Sequence, residues 1–133
     1  MLEPSTTATE RTGYTNDPLR LLAAGRLALA VAALAAPQRF ARLVGVAPSP
    51  ELTYLTRIYG ARALAMGLAY LTSEPPERRR WHRLGLAIDI TDTATGLLHL
   101  LRRDVSRRAA VGMVALTGTY AAVGAAATTS EAK

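Results

Sequence analysis

The chain has no cysteine, which excludes disulfides, thiolate metal sites and cysteine nucleophiles. Aromatic residues are scarce, with one Phe, one Trp and five Tyr in 133 residues. No run of Val, Ile and Thr alternates with period two over a strand's length, so nothing argues for a sheet. A Gly-rich phosphate loop, an HExxH pair and a Ser/His/Asp arrangement are all missing. No cofactor is expected. Lysine is nearly absent as well, since fifteen of the sixteen basic residues are Arg.

What remains is half apolar, and the apolar mass is mostly Ala and Leu. These are strong helix formers, and the expected fold class is all-α in a single domain. The formal charge of +6 would suggest nucleic acid for a soluble domain. The arginines, however, gather at the ends of apolar segments instead of along one polar face. Phospholipid headgroups fit that placement, so the expected partner is a lipid bilayer and no nucleic acid.

Four apolar stretches organise the chain: Leu19 to Ala36, Leu52 to Thr72, Leu84 to Leu101 and Ala109 to Ala127. At 1.5 Å per helical residue each spans roughly 27 to 32 Å, matching a hydrocarbon core of ~30 Å. The fourth, AAVGMVALTGTYAAVGAAA, has no charge and no polar face, unlike a surface helix of a small soluble domain. The expectation is a four-helix transmembrane up-down bundle over residues 16–128, in the bacterial plasma membrane. A disordered tail at 1–15 and a short tail at 129–133 flank it. The alternative is a soluble bundle with one buried central helix, since mean hydropathy is only +0.13.

Helix starts are expected at Asn16 or Asp17 before Pro18, at Ser49 before Pro50, and at Asp104. Pro37 ends the first helix, and QRFARLVGV after it reads as a short amphipathic segment lying in the membrane interface. Ser73 to Glu77 forms the next loop. Arg78 to Arg80 with Trp81 is a headgroup anchor, and His82 beside it an interfacial side chain. Ala33-Leu34-Ala35 resembles a signal-peptide cleavage site, but acidic residues in the leading tail and Arg26 inside the apolar run argue for a retained span. The basic residues divide evenly between the two sides. Lys133 and the compact Arg78 to Arg83 cluster favour cytoplasmic termini.

The chemistry lies at mid-depth. Arg62 is the midpoint of the second stretch, Asp92 falls at that of the third, and Arg26 lies within two residues of that of the first. His82, Gly85, Asp89, Asp92, Gly96, His99 and Arg103 recur every three or four residues, along one helix face. Unpaired at the bilayer centre, Arg26, Arg62, Asp89 and Asp92 would together cost on the order of 12 kcal/mol. They are therefore expected to pair, with Gly60, Gly67, Gly85 and Gly96 letting the helices close around them. Arg57 and His99 fall about level with one another on the edge of this network, and the Tyr120 hydroxyl could donate into it. Such a network can specify helix register alone, or mark a substrate or proton site. Metal binding is not expected, because Asp92 and His99 are about 10 Å apart on one straight helix.

Arg57-Ile-Tyr-Gly60-Ala-Arg62, followed by Ala65-Met-Gly67-Leu, and Gly85-Leu-Ala-Ile-Asp89-Ile-Thr-Asp92 in the next helix resemble an uncharacterised group of small four-helix bacterial membrane proteins, DoxX-like in outline. The resemblance covers residues 19–125. It implies the fold and the membrane location, and it brings no reaction and no catalytic residues.

The leading functional expectation is a non-catalytic module that binds a lipophilic ligand or a membrane-protein partner. The alternative is an intramembrane isomerase or cyclase, in which one of Asp89 and Asp92 stays protonated as general acid while the other is ionised against Arg62. A pocket of a few hundred Å³ reaching either aspartate would separate the two readings. If the spans are real, the protein should stay with membranes after carbonate extraction, and a reporter fused after Lys133 should read the cytoplasm. A stable detergent-free monomer would end the membrane reading, and periplasmic reporter activity would invert the topology.

Overall fold

The computed structural model describes residues 17–131, and the tail expected at 1–15 lies outside the described residues. All regular structure among them is helical: α1 Pro18–Ala35, α2 Pro37–Leu43, α3 Pro50–Thr72, α4 Pro75–Arg102 and α5 Arg107–Glu131. The expected four helices become five because the amphipathic segment forms a helix of its own. Pro37 occupies its first turn, where the missing N–H is no loss. Pro37 and Ala41 are buried and Phe40 stacks on Tyr59 of α3, while Arg39, Arg42 and Leu43 stay exposed.

Boundaries follow local chemistry. Asp17 accepts from the Leu19 N–H and Ser49 from the Leu52 N–H, each at 3.1 Å, capping α1 and α3. The expected cap at Asp104 is not used. Ser106 Oγ accepts from the Ala109 N–H instead, at 3.1 Å, which leaves Asp104 for another contact. The loop expected at 73–77 contracts to Ser73 and Glu74, since Pro75 and Pro76 begin α4 and carry it through the Arg78 to Arg80 cluster. The short tail expected from 129 is helical through Glu131.

Among the described residues, three helices are long and apolar enough to cross a membrane: α1, α4 and α5. The second apolar stretch, in α3, falls short of the four spans expected. Its 23 residues suffice in length, but Arg57 and Arg62 with Tyr54 and Tyr59 dilute its apolar character. Exposed large side chains include Leu21, Val31, Leu43 and Leu101, whereas the buried hydrophobic residues are Ala at seven of eight positions, with Tyr70 the eighth. Large apolar groups outside and small ones inside are the arrangement of helices packed in an apolar solvent.

The bundle is built from two close helix pairs, α1 with α3 and α4 with α5, joined by thinner α3–α4 and α1–α5 seams. Loops 36–49 and 103–106 share one end, where Ser106 Oγ donates to the Gly45 carbonyl at 3.3 Å. On α3, Thr56, Gly60, Ala63, Gly67 and Tyr70 are buried at alternating spacings of four and three, facing Ala23, Ala30 and Ala33 of α1. A methyl at Gly60 would sit 2.9 Å from Leu34 Cγ, and one at Gly67 would sit 2.9 Å from Leu27 Cδ2 and 3.1 Å from the Ala23 carbonyl. These glycines set the distance between α1 and α3.

Gly67→Leu should therefore lower stability by about 1–3 kcal/mol, and more if α1 is pushed off α3. Gly112→Ala, where an added methyl meets nothing within 4 Å, should be neutral or raise stability by up to about 1 kcal/mol. Thermal unfolding in detergent checks both, and equal losses at the two positions would contradict this packing.

Candidate functional site

Helix lengths place the site before any contact is considered. Arg26 lies at the middle of α1, Arg62 beside the middle of α3, Asp89 at the middle of α4, and Tyr120 next to the middle of α5. In an up-down bundle, elements of similar length that share their ends bring their midpoints to one level.

Arg26 Nη2 donates to Asp89 Oδ2 in a short charge-assisted contact that joins α1 to α4. The pair is enclosed, with 15% of the Arg26 side chain and 4% of the Asp89 side chain exposed. Small residues make the room. Gly85, one turn before Asp89, would bring a methyl within 3.4 Å of Arg26 Nη2 and 3.6 Å of Met66 Cε. On its other side the guanidinium lies over the Tyr120 ring, 5.0 Å from its centroid. Tyr120 thus joins the network through its ring, not as the hydroxyl donor expected from its position. Its hydroxyl occupies the space at Gly25, where a methyl would approach to 2.6 Å.

Arg62 Nη2 donates to Asp92 Oδ2 at 2.7 Å, joining α3 to α4. This second pair faces outwards, with 45% of the Arg62 and 28% of the Asp92 side chain exposed. The Arg62 guanidinium also lies over the Tyr59 ring at 5.6 Å. The expected cluster of four charges thus resolves into two pairs in different surroundings, one turn apart on α4.

Arg57 and His99 are not brought to either pair. Arg57 is exposed and lines a recess with Pro37, Arg39, Arg42 and Thr53, on the side where α2 packs. His99 reaches along its own helix end, its Nδ1 lying 2.7 Å from Asp104 Oδ1. That hydrogen bond holds the Asp104 carboxyl below the usual carboxylate range. The contact bridges the α4 terminus, where Arg103 adopts a left-handed conformation at φ 58° and donates its N–H to the His99 carbonyl.

Three contributors escaped the sequence reading. His82 meets α5, with Nε2 3.0 Å from Thr128 Oγ1. Thr93 and Thr117 pair across α4 and α5 at 2.9 Å, and each is also bonded to its own helix backbone. Met66 fills the space beside Gly85. Isolated Thr residues within apolar helices were the available signal, because a hydroxyl there needs an acceptor.

A void of about 30 Å³ adjoins the Arg26–Asp89 pair, lined also by Met66, Trp81, His82 and Tyr120. That is space for a water or two and for no larger group. Towards the end of the bundle, past Leu19, Tyr70 and His82, lies an open recess of about 440 Å³ bearing Arg78 and Arg79. Arg78 Nη2 donates there to the Ser73 carbonyl at 2.9 Å, and the guanidinium lies over Tyr70. Among the described residues no three His, Asp or Glu side chains converge as metal ligands would.

The two pairs should separate in double-mutant cycles. Asp89→Asn should cost about 3–5 kcal/mol by stranding the enclosed Arg26, and Arg26→Met added to it should recover most of that loss. The cycle at Arg62 and Asp92 should show a smaller coupling in detergent, where water and headgroups reach the pair. Thermal unfolding of all four states of each cycle measures this, and additive losses at Arg26 and Asp89 would show that the pair is not coupled.

No protein-family model, curated protein or solved structure matches this chain.

Proposed function

We propose that the chain is a multi-pass membrane protein acting as a non-catalytic binding module, whose enclosed ion pair fixes helix arrangement and whose outer surfaces meet lipid and a membrane partner. The observation that carries this reading is the void of about 30 Å³ beside Asp89. A lipophilic substrate needs roughly ten times that volume, since ligand pockets run to about 300 Å³ and above. Asp89 instead meets the Arg26 guanidinium, with Gly85 and Tyr120 lining the same void. An arginine stays charged under all ordinary conditions, so a protonated Asp89 would leave Arg26 buried and uncompensated. The isomerase or cyclase alternative requires that proton on Asp89 or Asp92.

Location in the bacterial plasma membrane belongs to the same proposal, with the 23-residue α3 crossing as a fourth span beside the three apolar helices so that both termini lie in the cytoplasm. It is supported by the three apolar helices and by the large side chains on the outside. The recess at Arg78 and Arg79 suits an anionic lipid headgroup at the end of the bundle.

Infrared spectroscopy of the reconstituted protein tests the reading. Paired with Arg26, Asp89 should give no protonated-carboxyl C=O band that disappears in Asp89→Asn. A band of that kind, titrating near neutral pH, would favour the acid–base enzyme instead.

A further inference from the structure

The Arg62–Asp92 pair is the exposed polar element at the middle of an otherwise apolar wall. Leu55, Ile58 and Ala65 recur with Arg62 at helical spacing along one face of α3 and are exposed, and Leu84, in line with Thr91 and Thr95 on α4, is 45% exposed. Thr91 and Thr95 are exposed along the neighbouring strip of α4, their hydroxyls bonded back to the Ala87 and Thr91 carbonyls. In a bilayer this wall faces acyl chains, which offer no partner to a guanidinium or a carboxylate. A lipid headgroup does not reach that depth. Among the described residues, the pair shares one N–H···O contact. A guanidinium has five donors and a carboxylate accepts up to about four hydrogen bonds, so most of the capacity of both remains for another molecule.

We propose that a second copy of this chain covers the wall, forming a two-fold dimer in which Arg62 of each protomer meets Asp92 of its partner. The charge arrangement argues for a copy in preference to another occupant. A cation and an anion side by side are self-complementary under a two-fold axis, which sets each opposite its counterion and closes a neutral ring of four charges. Ala65 and the back-bonded threonines leave a shallow surface against which a second helix pair can approach. Enclosure strengthens both original pairs by removing them from the lipid boundary. The proposal rests on the membrane-module reading, to which it adds the partner.

The absence of cysteine allows a direct test on the full chain in membranes. Ala65→Cys provides a single thiol on the proposed interface, and Val111→Cys one on α5, which packs against α1 and α4. After carbonate washing, a short bis-maleimide should give a covalent dimer with Ala65→Cys and at most background with Val111→Cys. Adding Arg62→Asp or Asp92→Arg places like charges opposite one another, and either should lower the yield at least about tenfold. Co-expression of those two variants should restore cross-linking between them, because the cationic chain then meets the anionic one. Restoration in trans excludes misfolding as the cause of the single losses. Membrane-integrated protein with no Ala65→Cys dimer, or with cross-links only to a different protein, would overturn the dimer alone. Loss of the chain from carbonate-washed membranes would overturn the membrane reading with it. Equal yields in all variants would show an encounter that does not use the charges, against the proposal.

Discussion

The contact between Arg26 and Asp89 is the constraint around which the rest of the bundle is arranged. The α1–α3 and α4–α5 pairs are each held by extensive small-residue packing, but the surface they share is modest. An enclosed charge pair across that junction has few alternatives. Shifting α4 by one turn would either place Gly85 opposite Arg26 and strand the guanidinium, or bring Asp92 to Arg26 and strand Asp89, a far larger penalty than the lost packing. The pair thus acts chiefly as a selector of register. Gly85, Gly25 and the Tyr120 ring supply the space and the surface that the guanidinium needs.

Small residues make this selection possible. Gly60 and Gly67 bring α3 against the α1 backbone closely enough that added methyls would collide. Such proximity favours dispersion contacts along the whole seam, which is the available source of attraction where helices are not driven together by water. The large side chains are left to face outwards. The same economy explains why so little empty volume lies next to Asp89.

The two ion pairs illustrate how one pattern takes on different roles through its surroundings. Asp89 and Asp92 are one turn apart and each meets an arginine, yet one is sealed between four helices while the other opens onto the surface. Burial makes the first a determinant of internal register. Exposure at the same depth leaves the second accessible from outside the protomer.

Helical class, the boundaries at Pro18, Pro37 and Pro50, the caps at Asp17 and Ser49, and the mid-depth level of Arg26, Arg62, Asp89 and Asp92 were all legible in the chain, because each depends on local propensity or on counting residues along a helix. Counting also identified Gly60, Gly67, Gly85 and Gly96 as points of close approach. The chain did not reveal that α2 would be helical, that Ser106 would displace Asp104 as a cap, or that His82 would meet Thr128. Each of those depends on which neighbour lies within a few ångströms. The separation of one expected network into an enclosed pair and an exposed pair, with Arg57 and His99 in neither, was likewise decided only by tertiary structure. Depth along a helix is set by sequence position, but the direction a residue faces relative to other helices is set by how the helices rotate when they pack. That rotation is fixed by contacts among residues far apart in the chain.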